Sequence, residues 1–308
     1  MRENYTIGVD IGGTYVRIGA QKNDDPLTGF EKILRESALG DTSPIEGIGA
    51  FISDYLEKNF PRLNIDAVGI GFPSTLSKDR RTIYHTPNIE GLDNSPISDI
   101  LEQKIKTPIF LEKDVNILFK WDIYNKRLPE KGIGLGIYFG TGIGNAITIN
   151  GELLIGRDGI AGELGHVPVI GGSGMCGCGN SGCFECYASG RRLVELRESY
   201  FGDTEIRDLF SEHRDSTILK EFVEAMACVV ATEINIFNPH FIILGGGIVN
   251  MKDFPRKLLD EYIYNHSRHP VPSGGLPLYY SDDSDRNGVL GSIYMARGKL
   301  NVADNTRS

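Results

Sequence analysis

Two glycine-rich turns could bind phosphate groups, because bare main chain lets several N–H groups approach an anion at once. Each turn connects two apolar runs that predict the strands of a hairpin, and each adds a threonine hydroxyl as a further donor. The turns consist of Gly12, Gly13 and Thr14, and of Gly140, Thr141, Gly142, Ile143 and Gly144. Neither turn has the Gly-Lys-Ser/Thr ending of a Walker A loop, and neither leads into a helix as a dinucleotide-binding turn does.

A carboxylate stands directly before the first of these turns. Asp10 is the second-last residue of the first predicted strand, 6–11, and a carboxylate there could hold the Mg²⁺ ion that accompanies a polyphosphate. The alternative interpretations are a turn-capping aspartate and ordinary tight turns, since glycine is a default turn residue. The recurrence of the hairpin pattern at Gly140 favours the phosphate interpretation.

Four residues with side chains that zinc prefers lie within one glycine-rich segment. His166 is followed by Cys176, Cys178 and Cys183, and together they form a Cys₃His set. Four protein ligands leave no open coordination position, so the predicted zinc site is structural. The alternative is four unrelated residues in a glycine-rich loop, and Cys186 has no assigned role.

Asp114 is the candidate for proton transfer. It follows the predicted strand 108–111 and precedes an apolar helical pattern, so it could accept a proton or simply cap the helix. The residues alone leave both interpretations open. A third glycine cluster, made of Gly245, Gly246 and Gly247, follows the predicted strand 241–244.

An α/β framework is needed to position these residues. Helical spacing of apolar residues predicts a helix from Pro44 to Asn59, with Ser43 as its cap, and another over 219–237. Strands that alternate with helices indicate an α/β architecture. The repeated hairpin indicates two related halves with a cleft between them.

The composition narrows the classes of partner. The chain has 308 residues, 40% of them hydrophobic and 24% charged, and a formal net charge of -9. An acidic surface repels phosphate backbones, which argues against nucleic acid as a partner. No apolar run approaches the roughly 20 residues of a membrane span, and no signal peptide is evident. We therefore expect a cytoplasmic protein without a membrane partner.

The motifs together resemble those of a known superfamily. The three glycine clusters resemble the two phosphate motifs and the adenosine motif of the sugar kinase, hexokinase and actin superfamily. The segment from Gly162-Glu163-Leu164-Gly165-His166 to Glu185 resembles the signature of the ROK family (repressors, open reading frames and kinases). The resemblance implies the actin-like ATPase (ribonuclease H-like) fold. Its expected domains are 1–115, completed by a helix at about 288–308, and 116–287.

The same resemblance implies an ATP-dependent sugar kinase with Mg²⁺, structural Zn²⁺ and a homodimeric assembly. Asp114 matches the family's catalytic base, which accepts the proton of the sugar's 6-hydroxyl. The glycine clusters match the ATP-binding residues. The implied or expected sugar ligands are Asp114 itself, Glu163, His166, Glu185, Lys113 and Asn88.

Two departures from the family pattern bear on the substrate. Lys113 stands where the family usually has Asn, and Ser74 stands where glucokinase-like members have Gly. These changes argue against plain glucose recognition, because Lys cannot accept a hydrogen bond. The segment 71–83, followed by Thr86-Pro87-Asn88, resembles the D-allose kinases of the family. The predicted reaction is phosphorylation of D-allose to D-allose 6-phosphate.

Two alternatives remain. The first is another ROK hexokinase, acting on glucose, fructose, mannose or N-acetylmannosamine. The second, from a different class, is a non-catalytic ROK sugar sensor or repressor. Such repressors carry an added helix-turn-helix, for which the nine residues before Asp10 are too few.

Overall fold

Residues 4–40, 43–61, 63–87, 89–272 and 274–305 are described by the computed structural model of the chain. Their contacts divide the chain into two units. Unit 1 comprises Met1–Arg127, Ile155–Ala161 and Ser284–Ser308, and unit 2 comprises Leu128–Leu154 and Gly162–Asp283. Unit 1 includes the helix that begins at Asp114, whereas the expectation from sequence ended the first domain at residue 115.

The strands are β1 (Asn4–Ile11), β2 (Tyr15–Lys22), β3 (Thr28–Leu34), β4 (Asn64–Phe72), β5 (Thr75–Leu76), β6 (Ile83–His85), β7 (Ile109–Lys113), β8 (Ile133–Phe139), β9 (Ile143–Ile149), β10 (Glu152–Leu153), β11 (Phe241–Gly245) and β12 (Leu278–Tyr280). The α-helices are α1 (Arg35–Leu39), α2 (Pro44–Asn59), α3 (Ile97–Ile105), α4 (Asp114–Asn125), α5 (Glu185–Ala188), α6 (Gly190–Tyr200), α7 (Leu209–Glu212), α8 (Thr217–Phe237), α9 (Arg256–His266) and α10 (Asn287–Asn305). Short 3₁₀ helices occur at Leu164–His166 and Ile206–Asp208.

The sheet of unit 1 has the order β3-β2-β1-β4-β7. The β1–β2 hairpin is antiparallel, whereas β4 runs parallel to both β1 and β7. In the register, Asp10 pairs with Gly71 and Gly71 pairs with Glu112. The carboxyl ends of β1, β4 and β7 therefore share one edge of the sheet, which brings Asp10 and the start of α4 to the same side.

The sheet of unit 2 repeats this arrangement in the order β10-β9-β8-β11-β12. Strands β8 and β9 form an antiparallel hairpin, and β11 runs parallel to β8 and β12. Each unit thus consists of a glycine-turn hairpin extended by parallel strands. The predicted α/β class and the repeated hairpin are confirmed by these sheets.

Each unit has its own hydrophobic core. The core of unit 1 includes Ile7, Ile18, Ile52, Ile70 and Leu101. The core of unit 2 includes Leu135, Phe139, Val223, Met226 and Ile242. Among the described residues, no helix combines the length and the apolar character required to cross a membrane.

Helix α10 packs directly on the sheet of unit 1, because the facing strands carry glycine at the contact. A Cβ atom at Gly8 would lie 2.1 Å from the carbonyl oxygen of Val289, and one at Gly69 would lie 2.1 Å from that of Ser292. Any side chain at these two positions would displace the helix. The Ser292 hydroxyl also donates to the carbonyl oxygen of Val9, at 2.9 Å.

Helix α2 has the bounds predicted from the spacing of its apolar residues, and Ile48, Ile52 and Tyr55 are buried. Pro44 occupies its first turn, where a missing N–H is tolerated. The predicted capping by Ser43 is wrong in one respect. Ser43 is the cap residue, but its side chain makes no capping hydrogen bond.

Candidate active site

Asp10 lies at the end of β1 and faces Arg17, its register partner on β2. One Arg17 guanidinium nitrogen, Nη1, lies 3.3 Å from Asp10 Oδ2. Burial raises the pKa of Asp10, and the Arg17 charge opposes this shift. Arg17 is held in turn by Asp285, whose Oδ1 accepts from Nε at 3.0 Å and from Nη2 at 2.8 Å. The result is a fixed cation between two carboxylates.

The turn after Asp10 leaves its central residues open. Its first residue, Gly12, donates its N–H to the carbonyl oxygen of Tyr15 at 2.9 Å, which closes the hairpin. Gly13 and Thr14 are exposed. A Cβ atom at Gly13 would meet no atom within 4 Å.

Asp114 is the first residue of α4, and the preceding Lys113 occupies the cap position. Asp114 therefore lies one residue inside the helix rather than at its cap position. Asp114 Oδ1 accepts from the N–H of Val115 at 2.7 Å. Burial, reinforced by the Asp10 charge, raises the pKa of Asp114 to about 6, against the lowering effects of the Val115 hydrogen bond and Lys113. The Asp10 carboxylate is therefore close enough to influence the ionisation of Asp114.

The second glycine turn joins β8 to β9 in unit 2. Gly140 N–H donates to the carbonyl oxygen of Gly142 at 3.0 Å. The first residues of α6, Gly190 and Arg191, donate their N–H groups to the carbonyl oxygens of Gly140 and Thr141, at 2.8 Å and 3.1 Å. A Cβ atom at Gly140 would meet nothing within 4 Å. The turn is therefore held from one side and open at Gly140.

The third glycine cluster lies beside the second turn. Strand β11 runs parallel to β8, and the N–H of Ile248 donates to the carbonyl oxygen of Phe139 at 3.1 Å. Gly246 has φ +93°, and a Cβ atom there would lie 2.4 Å from that same carbonyl oxygen. Gly247 has open space around it. Two of the predicted ATP-binding clusters thus share one edge of the unit 2 sheet.

Glu185, predicted as a sugar ligand, lies against this second turn. Its Oε2 accepts from the N–H of Ile143 at 3.1 Å. A Cβ atom at Gly142 would come within 2.2 Å of the same oxygen, so a side chain there would displace the Glu185 carboxylate. Arg191 lies 3.8 Å from the other carboxylate oxygen. The carboxylate is nearly buried and coupled to the turn that was predicted to hold phosphate.

The predicted zinc ligands do converge. The ligand atoms of His166, Cys176, Cys178 and Cys183 all lie within 4.8 Å of one another. The Cys176 sulfur is 3.4 Å from His166 Nδ1, and the Cys178 and Cys183 sulfurs are 3.8 Å apart. One imidazole and three thiols around a common point fit a structural zinc ion. The spare thiol of Cys186 instead lies 3.6 Å from the carbonyl oxygen of Gly174.

The remaining predicted sugar ligands fall in both units. His166 presents Nδ1 to the cysteines, while its Nε2 lies 3.8 Å from Glu163 Oε2. Glu163, His166 and Glu185 belong to unit 2, and Lys113 and Asp114 belong to unit 1. Asn88 lies outside the described residues. Sequence reasoning missed Arg17 and Asp285, although the pairing of Arg17 with Asp10 follows from the hairpin register.

Comparisons with known proteins agree with this arrangement. The family model described as the ROK family matches residues 6–299. A glucokinase of Thermotoga maritima is 33% identical over 272 residues, which cover 79% of this chain and 81% of the relative. An N-acetyl-D-glucosamine kinase of Haemophilus influenzae is 29% identical over 308 residues, which cover 92% of this chain and 97% of the relative.

Solved structures show the same fold. The structure of a ROK family glucokinase from Streptomyces griseus, in complex with glucose and AMPPNP, has a TM-score of 0.78 and 24% identity; the match covers 96% of this chain and 99% of the other. The structure of a ROK family transcriptional regulator has a TM-score of 0.79 and 18% identity; the match covers 95% of this chain and 78% of the regulator. The likeness in fold therefore extends to kinases and to a regulator.

Proposed function

This chain belongs to the ROK family, and we propose that, as a sugar kinase, it transfers the γ-phosphoryl group of ATP to the 6-hydroxyl of a free hexose, with D-allose as the preferred acceptor. The observation that carries the proposal is Asp114, a carboxylate at the carboxyl edge of the unit 1 sheet whose pKa is raised to about 6. Such a group is ionised at neutral pH, yet it is a stronger base than an ordinary carboxylate. It can therefore accept the hydroxyl proton as the phosphoryl group is transferred.

Charge neutralisation is the second requirement of phosphoryl transfer. Asp10 is the residue that would hold Mg²⁺, and the ion would neutralise the charge of the transferring group when bound with ATP. Arg17 and Asp285 fix the Asp10 side chain before any ligand arrives. A carboxylate held in this way loses little conformational freedom on binding, which favours an ordered site.

Three glycines support an ATP-binding role for the glycine clusters, because the fold itself does not require them. Gly13, Gly140 and Gly247 have no atom within 4 Å of an added Cβ, and their φ angles are not in the left-handed region. Gly246, in contrast, is required by both its φ angle and its contact with Phe139. In these clusters, the absence of a side chain at a position that folding leaves free gives room for close approach of a ligand.

The proposed role of the unrequired glycines can be tested by substitution with alanine. We expect Gly13→Ala and Gly140→Ala to melt within about 1 °C of the wild type, since they clash with nothing in the fold. Both variants should lower kcat/KM for ATP by about tenfold or more, because the methyl group obstructs phosphate contacts. Gly298→Ala, at an exposed position of α10, is the control and should leave ATP kinetics unchanged. Normal ATP kinetics in both turn variants would remove the phosphate role.

The pH dependence of turnover tests the role of Asp114. The base must be ionised, so kcat/KM should fall about tenfold per pH unit below a midpoint near 6. An acid limb with a midpoint near 4 would mean that another carboxylate controls turnover.

As the pH rises, the free energy of unfolding should change in the opposite direction to kcat/KM. Between the ordinary pKa of 3.8 and about 6, folded Asp114 keeps a proton that it has lost in the unfolded chain. The contribution of Asp114 to the free energy of unfolding is therefore lost as the pH rises through that interval.

D-Allose as the acceptor is supported by Lys113 and by the segment 71–83. Lys113 is buried and directly precedes Asp114. A donor-only side chain beside the base suits a hydroxyl that presents an acceptor oxygen, and allose differs from glucose in its configuration at carbon 3. The names of the relatives, glucokinase and N-acetyl-D-glucosamine kinase, favour a glucose-type acceptor instead.

A panel of acceptors separates these possibilities. Initial rates with ATP should be measured for allose, glucose, N-acetylglucosamine, fructose, mannose and N-acetylmannosamine. We expect the highest kcat/KM with allose, and Lys113→Asn should shift preference toward glucose. A higher kcat/KM for any other sugar in the wild type would replace allose while leaving the kinase assignment intact.

A further inference from the structure

A buried ion pair lies directly behind the start of α4 in unit 1. Arg80 is 9% exposed and Glu112 is 5% exposed. The Arg80 Nε atom donates to the Glu112 carboxylate at 3.0 Å. Arg80 sits in the turn between β5 and β6, with φ +60° and its N–H bonded to the carbonyl oxygen of Ser77 at 2.9 Å. The turn therefore directs one cation inward rather than toward solvent.

Glu112 connects this cation to the residues around Asp114. Its Oε1 accepts from the N–H of Lys113 at 2.9 Å and from Asn116 Nδ2 at 2.8 Å. These two donors stand on either side of Asp114 in the chain. A carboxylate that holds both neighbours fixes the direction in which the backbone enters α4, and with it the position of the Asp114 side chain.

The same guanidinium group also holds a second segment. Arg80 Nη1 donates to the carbonyl oxygen of Gly159 at 2.7 Å and to that of Ser77 at 3.1 Å. Gly159 has φ +90°, and a Cβ atom there would lie 2.9 Å from Leu76 O and Lys78 N. Residues 155–161 are thus packed onto the Arg80 turn within unit 1. The chain continues from this segment directly into Gly162 and Glu163.

We infer that Arg80 is a positioning residue for the kinase reaction. Through Glu112 it holds the start of α4 and so Asp114, and through Gly159 it holds the segment that precedes Glu163. The inference rests on the proposed function, because it takes Asp114 as the base. It gives the 71–83 segment an effect on turnover that needs no contact with the sugar. Arginine suits this role better than lysine, since its planar fork can serve a carboxylate and two carbonyl groups in fixed directions.

The experiment must separate positioning from simple loss of stability. Removing Arg80 alone would leave a buried carboxylate without its cation, which is strongly destabilising. We therefore choose the double variant Arg80→Met/Glu112→Gln, which removes both charges while Gln retains an oxygen for Lys113 and Asn116. Arg80→Lys is the conservative variant. Arg81→Met is the matched control, because Arg81 lies in the same turn but pairs on the surface with Asp99 and Glu102.

Two readouts are needed for each variant. Hydrogen exchange should be followed in peptides covering 112–118 and 155–161, and kcat and KM should be measured with the preferred sugar. We expect the double variant to exchange about tenfold faster in both segments, and its kcat to fall about tenfold with a smaller change in the KM for ATP. Arg80→Lys should recover part of both effects, and Arg81→Met should match the wild type.

Each outcome decides a separate question. Unchanged hydrogen exchange in both segments would overturn the proposal that Arg80 holds them, whatever the kinetics. Faster exchange with a wild-type kcat would show a purely structural ion pair and would overturn the positioning role. A wild-type protein that phosphorylates no sugar on the panel would refute the proposed function, while the exchange data would still decide whether Arg80 holds the two segments.

Discussion

The Asp114→Asn enzyme is expected to lose about a thousandfold in kcat, because a general base typically contributes a factor of 10² to 10⁴ to the rate. Asn has nearly the same shape and retains an oxygen that can accept from the N–H of Val115. Removing a carboxylate whose burial disfavours its charge should not destabilise the fold. Thermal melting and steady-state kinetics with ATP and the preferred sugar measure the two effects separately.

The control for this variant is Asp25→Asn, an exposed aspartate of unit 1 outside the glycine turns. It should match the wild type in kcat and melting temperature. If Asp114→Asn kept a kcat within about threefold of the wild type, a factor far smaller than loss of a general base produces, Asp114 would not be the base. The kinase assignment would then need another proton acceptor.

Replacing a zinc ligand is expected to produce the largest loss of stability. Cys183 is fully buried and contributes one of the four converging ligand atoms. Cys183→Ser should lose the bound metal and melt about 10 °C or more below the wild type, because a structural zinc ion contributes several kcal/mol to folding. Metal analysis should find one zinc ion per chain in the wild type, and prolonged chelation should reproduce the effect of the variant.

Cys186→Ser is the matched control, since its thiol lies three residues further on and outside the four-ligand cluster. It should retain one zinc ion per chain and the melting temperature of the wild type. Equal metal content in Cys183→Ser and the wild type would refute the zinc site. Turnover should also fall in Cys183→Ser, because Glu163 approaches His166 and Glu185 follows Cys183 closely in the chain.

Features encoded by local pattern could be predicted from the sequence. The bounds of α2 follow from the spacing of Ile48, Ile52 and Tyr55, and Pro44 fixes its start. The glycine hairpins follow from two apolar runs around a turn. The convergence of His166 with the three cysteines follows from their types and spacing, because few other arrangements place three thiols and an imidazole in so short a loop.

Features that depend on contacts between distant segments could not be predicted. Arg17 and Asp285 are 268 residues apart in the chain, and Arg80 and Glu112 are 32 apart. No periodicity signals such a pair, and each residue alone resembles an ordinary surface charge. The pKa of Asp114 is equally unpredictable, since it depends on burial and on Asp10, which lies on β1, far from α4 in the chain. The homodimer implied by the family resemblance stays a prediction.

The position of α10 has a consequence for folding during translation. The strands β1 to β7 of unit 1 leave the ribosome before unit 2, whereas the helix that covers Gly8 and Gly69 is translated after unit 2. Unit 2, which lies entirely between residues 128 and 283, is complete before that helix has been translated. The sheet of unit 1 must therefore wait, with the face that α10 packs on still uncovered, until that helix has been translated. A stalled or truncated chain that lacks residues 287–305 would present that face to chaperones and proteases, even though every predicted catalytic residue had already been synthesised.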